Sequence, residues 1–222
     1  MKHDVAIIGA GGFAREVLDV FDAANANGGS SSVLGFIVDA EYGSPGTEVN
    51  GKPILGGFDW VEKHSSSVRL ICGVGAPHHR IKLIRRAEAN GGRFVSVVHP
   101  TATLTRWIEI GEGVVISAGC VLTNRIRLGN HVQLNLLTTV GHDAVLGDFA
   151  TTAPGVNLSG NVTLGEGAYV GAGANVIERI SIGCWSIVGA GSTVIRDVPP
   201  NTTCVGTPAT VIKERPDGWH SK

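Results

Sequence analysis

A small α/β domain followed by a parallel β-helix is the fold class this sequence predicts, and three observations carry the prediction. An aliphatic residue recurs every six positions from Val98 to Val194. Glycine fills 32 of 222 positions, about 14% against a usual ~7%, while aromatics are 5%. A strand, a glycine-rich loop and a helical pattern open the chain. With so few rings, the core has to be stacked from small and aliphatic side chains.

The first ninety-seven residues alternate strand and helix patterns. Asp4-Val5-Ala6-Ile7-Ile8-Gly9 reads as a short buried strand, followed by Ala10-Gly11-Gly12-Phe13-Ala14 and a helix over about 13–24. Residues 33–38 form a second strand that ends at Asp39. Weaker signals place a strand at 53–55, a helix at 58–63, a strand at 68–73, a helix at about 78–90 and a strand at 94–97. Such alternation predicts a parallel sheet covered by helices. The boundary falls at Val98-His99-Pro100, giving domains 1–97 and 98–198. The tail, 199–222, holds Pro199-Pro200 and Gly206-Thr207-Pro208, and reads as an extension with room for one short helix.

From Val98 the period of six takes over. The markers are Val98, Leu104, Ile110, Ile116, Leu122, Leu128, Leu134, Val140, Leu146, Thr152, Leu158, Leu164, Val170, Val176, Ile182, Val188 and Val194. Thr152 alone is not aliphatic. Glycine often follows a marker, and a small or β-branched residue often precedes it by two. An α-helix does not tolerate this density of such residues. Three hexads make one 18-residue triangular coil, and coils stack at the ~4.8 Å strand spacing. The repeat is long enough for a little over five coils without a break in phase, the markers pointing inward.

Charge and composition exclude several roles. A formal net charge of -1 offers no basic surface for nucleic acid. No apolar run reaches the ~18 residues of a membrane span, and Met1-Lys2-His3-Asp4 is a polar start unlike a signal peptide. Cys72, Cys120, Cys184 and Cys204 form no C-x-x-C pair, so they read as reduced thiols of a cytoplasmic protein.

Gly9-Ala10-Gly11-Gly12-Phe13-Ala14 fits G-x-G-x-x-G/A between a strand and a helix. Glycines admit a phosphate close to the backbone, and a helix N-terminus supplies amide donors. Gly9, Gly11, Gly12 and Phe13 are therefore candidate nucleotide contacts. Asp39 joins them as an acceptor for ribose or base, and Gly73 as a neighbouring strand end. One mononucleotide-binding half argues against a dinucleotide; a plain structural turn is the alternative.

Residues one coil apart differ by 18. Asn124, His142, Gly160 and Glu178 thus share one corner, Leu136, Pro154, Ala172 and Ala190 a second, and Asn130, Asp148, Glu166 and Cys184 a third. Chemistry that removes a proton and builds an oxyanion needs a base and a hydrogen-bond donor side by side. His142 and the backbone N–H of Gly160, one strand spacing apart, form that pair. His131 reads as a solvent-facing corner residue and His99 as a cap on the domain junction. His78, His79 and Arg80 open a helix on the glycine-rich side, where phosphate contact is one reading. His99, His131 and His142 share no corner, so no zinc site is expected. His3, His64 and His220 carry no signal.

A glycine-rich α/β domain joined to a gapless hexapeptide helix resembles the bacterial sialic acid O-acetyltransferase-like family. That family includes N-acetyltransferases acting on nucleotide-linked amino-dideoxysugars, GDP-perosamine among them. The segments that carry the likeness are Ile8-Gly9-Ala10-Gly11-Gly12-Phe13-Ala14, Leu34-Gly35-Phe36-Ile37-Val38-Asp39, Val98-His99-Pro100-Thr101-Ala102, Leu134-Asn135, Gly141-His142-Asp143, Leu158-Ser159-Gly160-Asn161-Val162 and Val205-Gly206-Thr207-Pro208-Ala209.

The resemblance implies a left-handed β-helix and transfer of acetyl from acetyl-CoA, without a metal, to a nucleotide-linked amino sugar for surface glycan synthesis. O-acetylation of sialic acid or a related hydroxyl is the alternative within enzymes, and a non-catalytic scaffold the alternative outside them. It assigns His142, Asp143 and Gly160 to catalysis and Asn135 to the sugar. It implies a homotrimer with active sites between subunits. Ala172 and Ala190 would line the groove for the thiol arm of CoA, and Gly206 and Pro208 its adenine end. Many relatives carry a second histidine nine residues beyond the base; Thr151 stands there instead.

Overall fold

The computed structural model describes residues 3–221; Met1 and Lys2 of the polar start lie outside them. The chain begins with β1 (Asp4–Ile8), α1 (Gly12–Ala26) and β2 (Ser32–Ile37). It continues through β3 (Glu48–Val49), β4 (Lys52–Gly56), α2 (Phe58–His64), β5 (Val68–Cys72) and α3 (Pro77–Ala89). Sheet order is β3-β4-β2-β1-β5, parallel throughout except for the β3–β4 pair. β1 is an interior strand, flanked by β2 and β5, and fully sandwiched: Val5, Ala6, Ile7 and Ile8 are essentially inaccessible. A run apolar on both faces is what a parallel strand covered by helices requires. The expected strand at 94–97 does not form in this sheet. Phe94 makes one isolated bridge to Leu70, whereas Val97–Val98 pairs with Val115–Ile116. The last residues of the stretch already belong to the β-helix.

The prism has three walls of two- and three-residue parallel strands. One runs through Thr103–Leu104, Val121–Leu122, Thr139–Val140, Asn157–Leu158, Asn175–Val176 and Thr193–Val194. A second runs from Ile108–Ile110 to Ser181–Ile182. The third starts at Val97–Val98 and passes Gln133–Leu134, Thr151–Thr152, Tyr169–Val170 and Ile187–Val188. Every pairing between repeats is offset by 18, as in Leu146↔Leu164 and Val170↔Val188. The markers from Ile116 to Val194 are buried, and so are the residues two before them, including Val114, Cys120, Ala144 and Ala168. Ile110 departs from the expectation and is exposed: its strand is the edge of its wall, with no coil beneath it.

Corners repeat in backbone conformation as well. The third residue after a marker has a left-handed φ throughout much of the prism: Arg125, His131, Leu137, Asp143, Phe149, Asn161, Arg179 and Trp185 lie between +52° and +63°. For residues with a Cβ this conformation costs about 1–2 kcal/mol each, which the stacked rungs offset. The tail differs from the expected extension. Thr202–Gly206 extends the third wall beside Ile187–Val188, and Ala209–Glu214 pairs antiparallel with it before a 3₁₀ turn, Trp219–Ser221. The offset there is 16 rather than 18 (Ile187↔Thr203), so the repeat ends in phase at Val194 and closes with a shortened coil.

Candidate active site

His142 stands on the corner the coil arithmetic gives it. Its carbonyl accepts from Asn161 N–H at 2.7 Å, and Asp143 N–H donates to Asn124 at 2.9 Å, locking three rungs together. The left-handed φ of Asp143 (+59°) turns its side chain back along the corner. Neighbours that would point apart in a strand thereby meet: His142 Nδ1 and Asp143 Oδ2 are 2.8 Å apart. An ionised carboxylate only accepts, so the proton sits on Nδ1 and Nε2 presents its lone pair. Arg125 Nε lies 3.6 Å from the other oxygen of Asp143.

That lone pair faces Gly160. A Cβ built on Gly160 would fall 2.7 Å from His142 Nε2 and 2.8 Å from Cε1, so the ring occupies the space a side chain would need. Two amides on another corner are capped by side chains: Asn130 Oδ1 accepts from Glu112 N–H at 3.0 Å, and Asp148 Oδ1 from Asn130 N–H at 2.7 Å. The Gly160 N–H has no acceptor among the described residues. Base and free donor thus share one corner, open to solvent.

A cavity of about 450 Å³ lies between the α/β domain and the third wall. Phe13, Gly75, Ala76, Pro77 and His78 form one side of it. Gln133, Asn135, Thr151, Ala153, Pro154 and Tyr169 form the other, and Trp219 of the final turn closes it. Phe13 and Asn135, separate in sequence, are brought together here. Asn135 Oδ1 accepts from Leu136 N–H at 2.7 Å. Gly11 caps α1 without a side-chain bond, and the first helical bond is Arg15 N–H to Gly11 O. The amides of Gly12, Phe13 and Ala14 are therefore open, as an anion site at a helix start requires. Gly9 adopts φ +95°, with its N–H bonded to Ile37 O.

Three expectations change. Gly73 does not line the cavity: it is buried, its N–H is bonded to Ile8 O, and a Cβ there would strike Ala14. It is glycine so that α1 can pack on β5. Asp39 lines a separate groove with Gly56, Phe58 and Trp60, and its Oδ2 accepts from Arg86 Nη1 at 2.8 Å. His131 is not solvent-facing but buried, edge-on to Phe94 and stacked on Phe149 (ring centroids 4.6 and 5.3 Å apart). Burial first, then the charge of Arg80, pushes its imidazole down to about 4.

Sequence reasoning also missed Arg80. It is fully buried and reaches back from α3 to the prism rather than out to a phosphate. The Ala172 and Ala190 edge is exposed, and neither N–H has an acceptor among the described residues. Gly206 and Pro208 form the turn between the two tail strands and are likewise exposed. His142 and Gly160, however, lie one wall away from both the cavity and this edge, so a single chain does not assemble the whole set.

A parallel β-helix carrying an acid-supported imidazole beside an unoccupied amide defines an acyltransferase of the hexapeptide-repeat class. Residues 4–87 match the PglD N-terminal domain family. The chain is similar to a variant of perosamine N-acetyltransferase from Caulobacter crescentus solved with CoA and GDP-perosamine. Identity is 32% over 95% of this chain and 97% of that one, with a TM-score of 0.86. The acetyltransferase domain of PglB from Neisseria gonorrhoeae, solved with acetyl coenzyme A, is 29% identical over 96% of this chain and 100% of that one (TM-score 0.87). A GDP-perosamine N-acetyltransferase of Escherichia coli O157:H7 is 26% identical over 70% of either chain. The chain belongs to this family of sugar N-acetyltransferases.

Proposed function

We propose that the chain transfers acetyl from acetyl-CoA to the amino group of a nucleotide-linked amino-dideoxysugar, for use in surface glycan synthesis. The observation that carries this reading is the His142 ring against Gly160, held through Nδ1 by Asp143. The sugar amine attacks the thioester carbonyl, and His142 Nε2 takes the proton the amine loses. The Gly160 N–H donates to the oxyanion. As the tetrahedral adduct collapses, the C–S bond breaks, and His142 returns the proton to the departing thiolate. The relatives solved with CoA and GDP-perosamine support an amine rather than a hydroxyl as acceptor.

The reaction requires more than one copy of the chain. Pro154 of the cavity lies on the same edge as Ala172 and Ala190, while His142 occupies the next edge. A homotrimer that sets the His142 edge of one protomer against the Ala172/Ala190 edge of its partner completes the site. The thiol arm then lies along the free amides, with Gly206 and Pro208 at its adenine end. The glycine loop holds the nucleotide, and Asn135 contacts the sugar. Leu136 and Leu137, 41% and 65% exposed beside the cavity, give that junction apolar surface to bury.

The test is a thiol-release assay offering GDP- and UDP-linked 4-amino sugars beside free sialic acid, with light scattering for mass. Acetylation of the amino sugar by a trimer is expected. Acetylation of sialic acid alone, or a fully active monomer, refutes the reading.

A further inference from the structure

Arg80 is the largest fully buried side chain among the described residues. The four N–H of its two Nη groups meet five acceptors, all neutral, so one N–H of Nη1 is shared. Nη1 donates to Val74 O (3.0 Å), Gly75 O (2.8 Å) and Gln133 Oε1 (2.6 Å); Nη2 donates to Phe149 O (2.7 Å) and Thr151 Oγ1 (2.6 Å). Nε is buried without a partner, and no carboxylate pairs with the group among the described residues. A buried cation without a counter-charge is costly, and the fold bears that cost here.

The placement of the acceptors shows what depends on it. Gly75 lies on one side of the cavity, Gln133 and Thr151 on the other, so the guanidinium bridges both sides one hydrogen bond behind the lining. It also sets the polarity of what the lining presents. Thr151 Oγ1 accepts from Arg80 Nη2 and donates its own hydrogen to Phe149 O at 3.3 Å. Gln133 is locked at both ends, since its Nε2 donates to Cys72 O at 2.9 Å. Glu16 is the one carboxylate in the lining, and it is exposed.

We propose that Arg80 is a positioning residue that fixes the width of this cavity and supplies the positive charge which favours a diphosphate-bearing ligand in it. The inference rests on the reading of the cavity as the sugar-nucleotide site. The bound diphosphate becomes the counter-charge that the protein itself omits.

The experiment titrates GDP, UDP and, separately, CoA into the full-length protein by calorimetry, for wild type, Arg80→Met, Arg80→Lys and Thr151→Val. Arg80→Met is expected to weaken nucleotide binding about tenfold or more, because charge and fork are both lost. Arg80→Lys should recover part of that loss, since it keeps the charge without the planar fork. CoA affinity should stay within about twofold throughout, because no CoA contact is altered. In turnover, KM for the sugar nucleotide rises while kcat holds. Equal nucleotide affinity in wild type and Arg80→Met overturns the proposal alone. Should Arg80→Met not fold, unchanged nucleotide affinity in both Arg80→Lys and Thr151→Val overturns it. A wild-type protein that binds neither nucleotide refutes the underlying assignment of the cavity as well.

Discussion

Replacing Gly160 with alanine isolates the position of the base from every other feature of the site. The new Cβ would lie 2.7 Å from His142 Nε2, 2.8 Å from Cε1 and 3.2 Å from Cδ2. Non-bonded carbon contacts settle near 3.5 Å, so the ring has to retreat by about 0.8 Å. A misplacement of ~1 Å at a reacting group costs about 10²-fold, or roughly 2.7 kcal/mol of barrier. The fold should not suffer. Gly160 is not among the left-handed glycines, the imidazole it displaces is exposed, and the backbone N–H is retained. The assay is kcat/KM by thiol release, with a thermal melt beside it. A fall of about 10²-fold at an unchanged melting temperature is expected. Full activity in a variant carrying the extra methyl would refute the placement of His142 as the base.

Other outcomes follow from the same geometry. His142→Ala should lower turnover by ~10²–10⁴ with nucleotide binding intact, as single-turnover kinetics would show. Asp143→Asn offers Nδ1 an amide that can donate, which favours the tautomer with hydrogen on Nε2. Its kcat should drop by about 10² or more, and a steady-state rate near wild type would exclude the tautomer role. His131 controls acid stability. Its imidazole titrates near ~6.5 in the unfolded chain but at about 4 in the folded one, so the unfolded chain binds the proton more tightly. Its contribution is complete above pH ~6.5 and is lost as the pH falls toward 4, by roughly 3 kcal/mol. Urea unfolding of His131→Phe between pH 7 and 4.5 should show a flatter slope than wild type; the same slope in both would clear His131 of that role.

The β-helix was legible because its period is enforced by burial at every turn. A marker that misses its phase would leave an aliphatic side chain in water, so Ile116 through Val194 follow the count. The corner pair was legible for the same reason, since 18-residue stacking puts His142 on Gly160 whatever packs outside. What lies outside the prism is where reading failed. Nothing in the sequence around His131 records that Phe94 and the α/β domain cover its corner. Arg80 looked like a helix-start cation because its acceptors stand 53 and 71 residues away. The contact between His142 and Asp143 depends on a left-handed corner residue. A trace of that was visible: Gly113, Gly119, Gly155, Gly167, Gly173 and Gly191 fall at the same third position after a marker. The tail was misread because a hairpin needs a partner strand, and here the last wall supplies it.

The carboxyl end has a practical consequence. Trp219 and His220 are folded inward: the indole stands 5.5 Å from the His78 ring at the start of α3, and the imidazole stacks 3.7 Å from Trp185. Trp219 therefore stands as a lid on the cavity. Whatever displaces Trp219–Ser221 from the His78 and Trp185 rings opens the cavity on that side and changes what it admits.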